Sequence, residues 1–100
     1  MAAKEKVVYL TGLLIEKNVN IFREKLQALA DEFDIVSLDM QHVEMIDSMC
    51  LGLLVVFNKR MKLKGGKFTI INPSENVKEL LILTSLKQYF HVTDTTEPIL

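Results

Sequence analysis

Apolar positions along this chain recur with two alternating periods. Lys6 to Ile15 carries Val7, Val8, Tyr9 and Leu10, residues that favour extended backbone, and predicts a strand with Gly12 marking a bulge or close packing. Val19, Phe22, Leu26, Leu29 and Phe33 then recur at spacings of three and four, one face of a helix. Arg23, Glu24, Lys25 and Gln27 fall on its wet side, and Asn18 or Asn20 can cap its start. Asp34 to Met40 is short, apolar and bounded by acids, which suits a buried strand. Gln41 to Asp47 reads as a connection. Met49 to Leu63 predicts a second helix whose centre, Leu51 to Phe57, is apolar on nearly all sides. A surface helix needs about half as many apolar positions. Either both sides are buried or one face is a docking surface.

Lys64-Gly65-Gly66-Lys67 is a turn that ends this helix, with Lys62 and Lys64 suiting its negative end. Phe68 to Ile71 is the next strand. In Asn72-Pro73-Ser74-Glu75, Asn72 can cap a third helix, Pro73 suits its first position and Glu75 can complete a capping box. Val77, Leu80, Leu81 and Thr84 form its inner face. Tyr89 to Val92 suits a short final strand, and Thr93 to Leu100 reads as a loose tail. The order β-α-β-α-β-α-(β) predicts an α/β fold with a small, mostly parallel, mixed sheet packed with three helices. Residues 1–100 form one domain, with the core at about 6–92.

The composition narrows the function. Charges nearly cancel, 12 Lys+Arg against 13 Asp+Glu for a net charge of −1, so nothing supplies the basic excess a general nucleic-acid binder needs. The same neutrality favours protein association and leaves a homodimer open. The lone cysteine, Cys50, cannot form an internal disulfide. No apolar run is long enough for membrane insertion, so the expected location is cytoplasmic.

Catalytic patterns are sparse. His42, Ser48 and Cys50 are close in sequence, but no Gly-x-Ser-x-Gly elbow surrounds them, and a solvated loop histidine accounts for His42. His91 reads as a packing or edge residue. One Cys and two distant His make no metal site, and no cofactor is expected. Lys59, Arg60, Lys62 and Lys64 read as a solvated face that could also meet an acidic partner. Asp47-Ser48 is the informative pair, because it stands where a helix begins. One of the two can be an N-cap. Alternatively Ser48 presents an exposed hydroxyl for phosphorylation, adding roughly −1.5 to −2 charges beside Asp47 and near Glu44.

The segment Leu38-Asp39-Met40 through Ile46-Asp47-Ser48-Met49-Cys50-Leu51-Gly52-Leu53-Leu54 resembles the central signature of STAS domains, the anti-sigma factor antagonist fold. Gly65-Gly66 before a strand, Asn72-Pro73-Ser74 opening a helix, Leu83-Thr84-Ser85-Leu86 and Leu10-Thr11-Gly12-Leu13 are similar to further family steps in the same order. The resemblance runs from about Val7 to Val92. It implies a non-enzymatic switch that binds an anti-sigma factor serine kinase. The kinase would phosphorylate Ser48 and a PP2C-type phosphatase would reverse it. Asp47, Ser48, Met49, Cys50, Leu53, Val56 and Phe57 are the expected partner-binding residues. Met49 stands where the family has a second small residue, and Cys50 where it has glycine. Other members serve as subunits of lipid-transport or stress-signalling complexes, a rival reading. A small hydrolase using Ser48 or Cys50 is a second.

Overall fold

The computed structural model describes residues 3–94. Four strands, β1 (Glu5–Leu14), β2 (Ile35–Ile46), β3 (Lys67–Ile71) and β4 (His91–Thr93), alternate with three helices, α1 (Val19–Glu32), α2 (Ser48–Leu63) and α3 (Glu75–Leu83). A single 3-10 turn, Glu16–Asn18, leads from β1 into α1. The strands lie in the order β1-β2-β3-β4, and every described pair is parallel. The sheet is therefore parallel throughout the described residues, where a mixed one was expected.

Parallel register sets Val8, Leu38, Ile70 and Val92 side by side. The first three of these are buried, as are Val36, Met40 and Phe68 on the same alternation. Phe57 of α2 meets Phe68 edge-on at 4.9 Å between ring centres. Phe22, Leu26, Leu29 and Ala30 of α1 join the same core. On the opposite sheet face Val7, Tyr9, Thr93 and His91 are exposed.

The expected connection Gln41 to Asp47 is strand, apart from Asp47 itself. β2 carries one extra residue relative to β1 between Tyr9 and Thr11, and another between Gly12 and Leu13. Each such bulge bends the strand and shifts its side-chain alternation. Gly12 takes φ +79°, the left-handed region, beside the second one. The bulged half of β2 leaves β3 and meets the start of α3: Ser74 Oγ donates to Val43 O at 2.7 Å, and Asn76 Nδ2 to Glu44 O.

Three capping expectations change. Asn18 occupies the cap position of α1, but its amide donates to Leu13 O, and Asn20 instead accepts from Arg23. The cap of α3 is Ser74, whose hydroxyl accepts from Val77 N, while Asn72 sits at φ +50° and donates to buried Asp39 at 3.2 Å. Lys64 reaches across to the carbonyls of Ala30 and Phe33, so its cation serves the end of α1 as well. Gly66 is required by space: a Cβ there would lie 2.5 Å from Asp34 O. Thr84 is exposed at the end of α3, not on its inner face. The predicted tail is partly strand: Thr93 belongs to β4, and 95–100 lie outside the described residues.

Candidate functional site

The site is the junction where β2 gives way to α2. Asp47 follows the last strand residue with extended backbone and caps the helix: Oδ1 accepts from Cys50 N at 2.9 Å. Its second oxygen, Oδ2, accepts from Glu16 N at 2.7 Å. Its own N–H donates to Leu14 O at 3.0 Å, and its carbonyl accepts the first helical bond from Leu51. One residue thus ties the start of α2 to the end of β1 and the turn after it. The N–H donors, that of Cys50 foremost, hold the Asp47 carboxyl below its ordinary value.

This resolves the alternative left open by the sequence. Asp47 is the cap, so Ser48 is free of that duty. Ser48 is the first residue of α2, is exposed, and its hydroxyl makes no side-chain hydrogen bond with the described residues. Its hydroxyl stands at the positive end of a 16-residue helix.

At about 100° per residue, Ser48, Met49, Gly52, Val56 and Lys59 fall on one side of α2, and all five are exposed. Val56 is 65% exposed and Met49 47%. Leu53 and Val55 are half-buried at the edges of this stripe. Cys50 and Phe57 point the other way, at 0% and 3% exposure, and leave the expected contact surface because the helix turns them into the core. Most of the circumference of this over-apolar helix is buried, and Met49 and Val56 are exposed apolar positions on the stripe that is not.

The structure also speaks to the hydrolase rival. Burial, with the Asp47 charge adding to it, pushes the Cys50 thiol up to about 11, the opposite of an activated nucleophile. His42 is an exposed residue of β2, paired in register with Thr11 of β1, and makes no hydrogen bond to Ser48 or Cys50. Arg60 is paired with Asp31, and Lys62 lies over the Tyr89 ring at 5.3 Å, so the basic face is partly engaged within the chain. Among the described residues no cluster of His, Cys, Asp and Glu could hold a metal, and no helix is long and apolar enough to cross a membrane. The second role of Asp47, toward Glu16, carries no local signal in the sequence, because the two residues lie 31 positions apart.

Comparison with known proteins places this geometry. The model of the STAS domain matches residues 3–98. The anti-sigma-B factor antagonist of Bacillus subtilis is 29% identical over 90 residues, which cover 90% of this chain and 83% of that protein. A Thermotoga maritima crystal structure, described as a candidate anti-sigma factor antagonist, superposes with a TM-score of 0.79 at 31% identity. It covers 90% of this chain and 80% of its own. The Bacillus anti-sigma factor antagonist SpoIIAA shares the fold in its unphosphorylated form, with a TM-score of 0.79, 20% identity and coverage of 96% and 84%. Its phosphorylated form gives 0.72, 19%, and coverage of 96% and 86%.

Proposed function

This chain belongs to the STAS-domain family, and from that premise we propose that it is an anti-sigma factor antagonist, a non-enzymatic protein-binding switch controlled by phosphorylation of Ser48. The observation that carries the reading is the division of labour at the head of α2: Asp47 takes the capping role, and the Ser48 hydroxyl is exposed and unbonded within the described chain. The partner is an anti-sigma factor that is also a serine kinase. It transfers the γ-phosphoryl group of ATP to Ser48 Oγ; the bond to ADP breaks, the serine proton leaves, and ADP departs. A PP2C-type phosphatase reverses the step by hydrolysis. The role belongs in the cytoplasm, with the transcription machinery.

Charge supplies the switch. A phosphate of roughly −2 on a chain of net charge −1 about triples that charge. It arrives at a helix N-terminus, which tolerates an anion, so the fold survives while a partner that meets Ser48 and Asp47 is repelled. That SpoIIAA has been solved in both forms supports this, since the shared fold accommodates either state there.

Gly52 supports the contact surface. Mid-helix glycine costs roughly 1 kcal/mol relative to alanine, yet a Cβ on Gly52 would meet nothing among the described residues within 4 Å. Internal packing gives no reason for it. It lies between Ser48, Met49 and Val56, where the missing side chain lets a partner approach the backbone. Leu53 at the stripe's edge extends the apolar part of that surface.

Incubation with the kinase and ATP, followed by mass mapping, should place one phosphate on Ser48; a Ser48→Ala protein that labels as well as wild type defeats the assignment. In pull-downs, wild type should retain the anti-sigma factor and Ser48→Asp should lose it. Val56→Glu should weaken capture with the fold intact. Equal capture by wild type and both variants would remove this face as the binding surface.

A further inference from the structure

Strand β1 is an edge of the sheet. It pairs with β2, and no other described strand joins it. We propose that a second copy of this chain covers that edge, with β1 antiparallel to β1 of the partner subunit about a two-fold axis.

The backbone supplies the first reason. Lys4 O accepts from Asp34 N and Ile35 N, and Leu14 O accepts from Asp47 N. The even-numbered residues of β1 thus turn their peptide groups toward β2. Glu5, Val7 and Tyr9 turn theirs to the open side, because the direction alternates along a strand. A row of such groups is a template for another strand. The register with β2 is unbroken from Glu5 to Tyr9, so the bulges begin beyond this stretch. Natural edges are commonly guarded by charge or proline, and the run Val7 to Leu14 carries neither. Val7 is 46% exposed and Tyr9 71%. Across a two-fold axis they meet their counterparts as one apolar cluster.

Helix α1 supplies the second reason and identifies the occupant. Its Arg23 and Gln27 line the groove toward α2, and Asp31 pairs with Arg60 of α2. Ile21, Lys25, Ala28 and Glu32, at spacings of four, three and four, form a stripe on the other side. That is the β1 side, because α2 packs toward β3. All four residues are exposed. Neither Lys25 nor Glu32 forms an ion pair among the described residues. A two-fold axis along the edge sets α1 antiparallel to its copy. Helices that each cover two strands then stand two strand spacings apart, roughly 10 Å, which matches helix packing at about 8–10 Å. Alignment about Ala28, small enough for close approach, puts Lys25 opposite Glu32 of the partner subunit, and the symmetry makes that pair twice. The stripe is self-complementary, as a two-fold interface requires. An axis at Glu5 or Lys6 would set like charges face to face, so it falls at Val7 or beyond. The contact lies on the side of α1 away from α2 and does not rest on the phosphorylation reading.

Sedimentation velocity of the full chain, from about 1 µM to about 1 mM, is the test. One strand and one helix side per copy make a small interface, so wild type should pass from monomer to dimer with a dissociation constant on the order of 100 µM. Val7→Pro removes an N–H on the open side and leaves the ladder to β2 intact; it should weaken the dimer at least tenfold. Lys25→Glu sets like charges across the axis and should weaken it at least fivefold. Adding Glu32→Lys in the same chain restores opposite charges and should recover the wild-type constant. Both positions are exposed, so this pair carries the test if Val7→Pro fails to fold. A monomer at about 1 mM overturns the proposal, and is the outcome if a segment of the same chain covers the edge. A dimer unchanged by Val7→Pro and Lys25→Glu, or a loss that the double substitution does not restore, overturns it as well.

Discussion

Removing the Asp47 carboxylate tests the account of how α2 is anchored. In Asp47→Ala two acceptor bonds disappear: the cap to Cys50 N at 2.9 Å and the tie to Glu16 N at 2.7 Å. Losing an N-cap costs about 1 kcal/mol. A hydrogen bond to a charged group is worth about 1.5–3 kcal/mol, and the low end applies because the Glu16 bond is exposed. The expected loss is about 2–3 kcal/mol, a large fraction of a domain stability of roughly 5–15 kcal/mol. Asp47→Asn keeps one acceptor and turns an NH2 toward the Glu16 donor, so it should lose about 1–2 kcal/mol. Ser48→Ala should stay within about 0.5 kcal/mol. Urea unfolding followed by far-UV circular dichroism reads all three as midpoint shifts at constant slope. The carboxyl is held below its ordinary value of 3.8 in the folded chain. Its contribution is therefore complete above the unfolded value and is lost as pH falls through the folded one. The gap between wild type and Asp47→Asn should narrow in acid below about pH 4. If Ser48→Ala costs as much as Asp47→Ala, or Asp47→Ala costs less than about 0.5 kcal/mol, the division of roles at this junction is wrong.

Two further outcomes follow from residues on either side of α2. Gly52→Ala should raise stability by about 0.5–1 kcal/mol, since the new Cβ meets nothing, and should weaken partner capture; a stabilised variant with unchanged capture would show that the partner stays away from this backbone. Cys50 should resist thiol reagents at pH 8, because a thiol pushed from 9.0 to about 11 holds on the order of 100-fold less thiolate, and it should label rapidly in denaturant. Its stabilising share is complete below pH 9.0 and is lost as pH rises toward about 11. Rapid labelling of native protein would contradict its burial.

The alternation of strands and helices was legible because long periodic runs such as Val19 to Phe33 carry their own signal. β2 was legible only to Met40. Beyond it two extra residues each reverse the inward alternation, so Val43 falls out of step with Leu38 and Met40 before Ile46 returns to it, and a bulged strand imitates a loop. At Asn72-Pro73-Ser74-Glu75 the local chemistry offered two caps. The choice fell to Ser74 because buried Asp39, 33 residues away, takes the Asn72 amide. The Asp47-Ser48 pair was visible as a helix start, but which residue capped it depended on Glu16, again a distant partner.

The sheet order has a consequence for how the chain is made. Each strand pairs with the one synthesised just before it, from β1 to β4. As the polypeptide leaves the ribosome, every new strand finds its docking edge already in place, and none waits for the C-terminus. β1, β2 and the Asp47 junction are complete once α2 has emerged, while the far edge of the sheet needs β4. A stalled or shortened product would then carry a finished head of α2 and an unfinished sheet edge, so the two sides of the sheet mature at different times during translation.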